Sequence, residues 1–172
     1  MLSFKSGIFW LLGLAPALLC LAALSGASPF EPDGQMTGRA SVIDGDTIEL
    51  AGNRIRLAGI DAPEIRQFCL DGEGREYACG LAAAGALKMF LDSASPTSCQ
   101  ARSRDRWGRY VAWCRRADGA DAAAYLVRAG QALDWPRYSK GRYRHAQMSA
   151  QRARRGVWQG RFDSPWQWRR RR

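Results

Sequence analysis

Histidine is almost absent from this chain: His145 is the only one in 172 residues. A two-histidine ribonuclease mechanism is therefore excluded, and most zinc hydrolase sites become implausible. There is no G-x-S-x-G nucleophile elbow and no G-x-x-x-x-G-K-[ST] phosphate loop. No two cysteines stand as C-x2-C, so Cys69, Cys79, Cys99 and Cys114 make a poor zinc set. There is no internal repeat, and no low-complexity segment beyond the terminal arginines. Acids nearly vanish at that end: from Arg137 to Arg172 there are 12 Lys/Arg against one acid, Asp163. His145 reads as an exposed residue among basic neighbours. What remains for hydrolysis is a hard metal, carboxylates and arginines.

The composition, 47% hydrophobic, is sufficient for a real core. The N-terminus stands apart from it. Lys5 precedes an apolar run from Ile8 to Leu24, followed by Ser25-Gly26-Ala27. That layout predicts a signal peptide over residues 1–27, with an uncleaved membrane anchor as the alternative. Residues 28–37 read as a Pro/Gly-rich linker, 38–160 as the folded domain and 161–172 as a basic tail. An exported, secreted or periplasmic chain with four further cysteines is expected to form disulfides. The net charge of +10, concentrated at the C-terminus, suits a polyanion: nucleic acid, anionic lipid or acidic polysaccharide.

Along the domain, "VIDGDTIEL" (Val42–Leu50) and "IRLAGIDAPE" (Ile55–Glu64) read as strands around a turn at Ala51-Gly52-Asn53. Leu81–Leu91 has helical composition, with Leu81, Leu87 and Leu91 near one face. "CQARSR" and "RYVAWC" form a second strand pair around Asp105-Arg106-Trp107-Gly108, a type I turn signature. Pairing Arg104 with Arg109 sets Cys99 opposite Cys114, leaving Cys69 and Cys79 to close the intervening loop. Asp121 caps a helix over Ala122–Ala129, and a third helix spans Arg142–Arg155. The order of elements predicts an α+β domain containing a small antiparallel barrel.

Asp44-Gly45-Asp46 or Asp61-Ala62-Pro63-Glu64 alone could be turn chemistry. Taken together, with Gly52-Asn53 as the loop, the register sets Asp44 opposite Asp61 and Asp46 diagonal to it. Carboxylates so gathered repel one another unless a cation joins them, and hard oxygen ligands suit Ca²⁺ or Mg²⁺. The same register puts Arg56 on the other face near Glu49, unless a bulge or barrel coiling returns it to the carboxylates.

"VIDGDTIEL", "IRLAGIDAPE", "DRWGRYVAW", "LVRAGQA" and "RRGVW" occur in the order and spacing of the staphylococcal nuclease (thermonuclease) family. The chain resembles that family from about Gly38 to Trp158. The resemblance implies a five-stranded OB-type β-barrel with three helices, and Ca²⁺-dependent cleavage of DNA and RNA by a monomer with no obligate protein partner. Asp46 and Asp61 resemble its calcium-binding carboxylates. Ala62 stands where the founding enzyme has threonine and would offer its backbone carbonyl. Arg56 and Arg109 resemble the phosphate-binding arginines, and Glu64 the residue that positions or activates water. Tyr138 and Tyr143 would line the nucleotide cleft. Trp107 is placed either to stack on a base or to act as a buried anchor. Two rival readings are a catalytically idle OB-type nucleic-acid binder and a cationic envelope-binding protein acting through its terminal arginines.

Overall fold

The structure, a computed structural model, describes residues 34–171. The segment read as a signal peptide lies outside the described residues. Strand β1 (Gln35–Gly38) begins inside the stretch read as linker, and only Arg39 separates it from β2 (Ala40–Val42). Then come β3 (Thr47–Leu50), β4 (Asn53–Leu57) and the two-residue β5 (Ile60–Asp61). A small hairpin, β6 (Cys69–Leu70) and β7 (Glu76–Tyr77), leads into helix α1 (Cys79–Asp92). The long pair β8 (Thr97–Arg104) and β9 (Tyr110–Arg115) precedes α2 (Ala122–Arg128). Last come β10 (Leu133–Asp134), α3 (Pro136–Ser139), α4 (Arg144–Arg152) and α5 (Pro165–Arg170).

The main sheet runs β1-β8-β9-β4-β3-β2. Its edge strands β1 and β2 are consecutive in the chain across Arg39, so the sheet must curl until its edges meet. Counted as one bent strand, β1 and β2 make it a five-stranded OB-type barrel, with β4 parallel to β9 and the other pairs antiparallel. Ile48, Leu50, Ile55 and Leu57 fill the barrel, and Leu87, Phe90 and Leu91 of α1 close it with Leu126 and Val127 of α2. Leu81 points to solvent instead of joining Leu87. Six residues at about 100° each leave it well off that face, which Ala83 occupies. The three expected helices are α1, α2 and α4; α3 and α5 are short additions. Asp121 caps α2 by accepting from the Ala124 N–H at 2.9 Å. The disulfides are Cys69–Cys79 and Cys99–Cys114.

Cys99 faces Cys114 by a route the sequence pattern did not contain. At the turn, Arg104 pairs with Tyr110, not Arg109, and a bulge between Ala101 and Ser103 shifts the ladder back by one before it reaches the cysteines.

The segment from Arg161 onward packs against the domain. Trp158, Phe162 and Trp166 cover the cluster of Cys69, Cys79, Leu133 and Val157. The buried Gln67 donates to the Asp163 carbonyl at 2.7 Å, and Gln167 closes a capping box on Ser164 at the start of α5.

Candidate active site

The site starts at the β3–β4 hairpin. Its turn residues are Ala51 and Gly52, both left-handed (φ 51° and 74°), rather than Gly52 and Asn53. The two-residue shift preserves the faces but changes every partner: Thr47 faces Arg56, and Glu49 faces Arg54. Glu49 is therefore not the neighbour of Arg56. Asp44 is not opposite Asp61 either. The chain turns at Gly59 (φ 80°), and β5 leaves the hairpin to pair with β10, setting Asp61 beside Leu133.

That turn brings Asp61 within reach of Arg56. The Arg56 guanidinium bridges the acids, donating to Asp46 Oδ1 at 2.9 Å and to Asp61 Oδ1 at 2.7 Å. Asp46 is 4% exposed and Asp61 is fully buried. Asp46 also accepts from the Thr47 hydroxyl at 3.1 Å and, through Oδ2, from the Ala62 N–H at 3.1 Å. Asp44 serves the turn, its Oδ1 accepting from the Asp46 N–H at 3.0 Å. Two glycines allow the close approaches. A Cβ on Gly45 would stand 2.7 Å from Ala62 Cβ and 2.8 Å from Ala83 Cβ, and one on Gly80 would strike the Glu64 carbonyl at 1.8 Å.

Burial pushes the Asp46 carboxyl up to about 7; Asp44 and Asp61 add to the rise, and Arg56 and the Ala62 N–H oppose it. For Arg56, burial favours the neutral form, but the charges of Asp46 and Asp61 outweigh it and hold the guanidinium protonated. Desolvation wins for the acid because its surroundings exclude water, whereas the arginine faces two carboxylates.

An open cavity of about 950 Å³ lies over these groups, lined by Asp46, Arg56, Ala62, Glu64 and Arg109 among others. Arg109 reaches it from the β8–β9 turn, donating through Nε to Asp105 Oδ2 at 2.8 Å and through Nη1 to the Thr47 hydroxyl at 3.3 Å. Trp107, 66% exposed, and Tyr138, 58% exposed, stand on the rim. Trp107 is thus not a buried anchor. Tyr143 does not reach this cleft. It is 3% exposed within the core and borders a separate cavity of about 330 Å³. Burial and the Asp121 charge push its hydroxyl up to about 12. His145 is exposed on α4.

Three contributors were not apparent from the motifs. Trp135 lies under the basic groups, its ring 5.9 Å from the Cζ of both Arg56 and Arg169. Gln67 accepts from the Glu64 N–H at 3.2 Å while it holds the Asp163 carbonyl, linking Glu64 to the C-terminal segment. Arg169 of α5 enters the site itself. It donates to Asp61 Oδ1 at 3.1 Å, to Asp61 Oδ2 at 2.7 Å and to Glu64 Oε1 at 2.6 Å. The only hint of its docking was Ser164-Pro165 followed by Gln167, a helix-start pattern before an apolar Trp168.

Among the described residues, no three of His, Cys, Asp and Glu are gathered into a ready-made metal shell. The donors present are two buried carboxylates and the backbone at Ala62, with Glu64 at the mouth. This is a hard oxygen set that already attracts two guanidinium groups, so its chemistry fits an oxygen-liganded divalent ion.

The family model of the staphylococcal nuclease homologue matches residues 54–160. The chain is 45% identical over 147 residues to the succinoglycan biosynthesis protein ExoI of Rhizobium meliloti (strain 1021), covering 86% of this chain and 74% of that one. It is also 32% identical over 136 residues to an uncharacterized endonuclease of Escherichia coli O157:H7, covering 76% and 82% of the two chains. With the barrel, the acidic pair and this match together, the chain belongs to the staphylococcal nuclease family, a family of metal-dependent enzymes, and its domain is a nuclease domain whose class of substrate is nucleic acid.

Proposed function

We propose that the protein is a calcium-dependent, sugar-nonspecific nuclease that hydrolyses phosphodiester bonds of DNA and RNA. The observation that carries this reading is the joining of Asp46 and Asp61 by Arg56, with Glu64 and Arg109 opening on the same cavity. Asp46, Asp61 and the Ala62 carbonyl would hold the ion, which when bound polarises a phosphoryl oxygen and lowers the pKa of water. Arg56 and Arg109 present planar N–H donors to the non-bridging phosphate oxygens as charge grows in the transition state. Thr47 and Asp105 fix the angle at which Arg109 enters. Glu64 accepts a proton from the attacking water, or orients that water, as its oxygen bonds to phosphorus and the P–O bond to the leaving sugar breaks. Trp107 and Tyr138 offer exposed ring faces on which bases can stack.

An idle OB-type binder would need only the basic surface; buried, cation-seeking carboxylates beside two arginines would serve it no purpose. Likewise, a cationic envelope binder would not need Arg169 turned inward onto acids. The signal-like N-terminus and two disulfides support action in the periplasm or outside the cell.

The test is digestion of single-stranded DNA and RNA with calcium and then with excess chelator. Both polymers should be cut only with calcium. Undiminished cutting in chelator would overturn the metal mechanism, and no cutting in calcium would favour the binder.

A further inference from the structure

The basic C-terminal segment does not project into solvent as a polyanion lure; one of its arginines occupies the acidic centre. Asp61 Oδ1 accepts from Arg56 at 2.7 Å and from Arg169 at 3.1 Å, and Oδ2 accepts from Arg169 at 2.7 Å. A carboxylate oxygen has about two lone-pair directions. The fully buried Asp61 therefore has little left to offer a further ligand. Glu64 Oε1 is taken by the same guanidinium.

We propose that Arg169 is a tethered competitor for the metal, so that a divalent cation loads only when it displaces α5 from Asp61 and Glu64. The inference rests on the metal-dependent reading above and adds a gate to it. Asp61 already bonds two guanidinium groups, so a divalent ion would be a third cation on the same oxygens, repelled by Arg169 and short of free lone pairs. The acids hold the guanidinium firmly in its charged form, although its burial opposes them.

α5 is built to dock at this place and also to leave it. Docking uses the Gln67–Asp163 hydrogen bond, the Trp166 ring stacked 6.0 Å from Trp135, and the Arg171–Asp163 ion pair at 2.6 Å. Release is feasible because the helix has six residues, and Pro165 is the one buried side chain among them. The family match ends at Gly160, so the competitor lies outside the matched domain. Gln67 bridges both parties, bonding the Glu64 backbone and the segment that carries Arg169.

Calorimetric titration of calcium into the intact protein, with amide hydrogen exchange of residues 166–170, tests this. Arg169→Ala and Arg169→Gln should each bind calcium about tenfold more tightly than wild type, roughly a 1.4 kcal/mol difference. Arg170→Ala removes the same charge from the same helix but contacts no carboxylate of the site, and it should stay within about twofold. In the wild type, calcium should speed exchange across α5. Equal calcium affinity in wild type and both Arg169 variants, with exchange of α5 unchanged, would overturn the gate but leave the metal reading intact. Failure of every variant to bind calcium would overturn both.

Discussion

At the scale of single residues, the site is a conflict between burial and charge. Asp46 accepts three hydrogen bonds, one of them from a guanidinium at 2.9 Å, yet burial pushes its carboxyl up to about 7. The unfolded chain releases that proton near 3.8. Between those values the native state binds more protons than the unfolded one, so this group's contribution to stability falls as pH rises. Asp46→Asn has no proton to lose. In chelator, its stability relative to wild type should increase from pH about 4 to about 7, as read by urea unfolding at the two ends of that window. A difference that does not change with pH would contradict the burial of this charge. Asp46, Asp61, Glu64, Arg56 and Arg109 were all visible in the motifs because each lies in a short ordered string. Arg169 was not, since nothing in "WQWRRRR" distinguishes the arginine that turns inward from those facing water.

At the scale of elements, strand and helix types followed from periodicity and turn residues, whereas registers did not. The hairpin turn uses Ala51 in a left-handed conformation that sequence rules assign to Gly or Asn. Treating Ile55 to Asp61 as one straight strand missed the break at Gly59, and that break is what brings Asp61 to Arg56. The β8–β9 ladder reached the right disulfide through two offsets that cancel, a longer turn and a bulge at Arg102. Bulges leave almost no trace in a two-residue alternation, so register is where pattern reading fails first. Close packing of the β2–β3 loop gives a sharper expectation. Gly45→Ala forces a methyl to within 2.7 Å of Ala62 Cβ and 2.8 Å of Ala83 Cβ. It should destabilise the domain by about 1 to 3 kcal/mol in denaturant unfolding and lower calcium affinity by shifting Asp46. A variant as stable as wild type would show that this loop yields more easily than its contacts imply.

At the scale of the whole molecule, charge and fold are arranged around one cavity. Barrel strand β4 supplies Arg56, the loop before β3 supplies Asp46, β5 supplies Asp61, the β8–β9 turn supplies Arg109, and the C-terminal segment returns to add Arg169. A net charge of +10 attracts polyanions to the molecule as a whole, while the proposed chemistry depends on a few carboxylate oxygens in one cavity. The most direct test of hydrolysis through these groups is single-turnover cleavage of a single-stranded DNA oligonucleotide in calcium, comparing wild type with Glu64→Gln. The loss should be at least about a hundredfold in rate, with oligonucleotide binding nearly unchanged. A Glu64→Gln protein that cuts as fast as wild type would contradict the assignment of the water-activating role to Glu64.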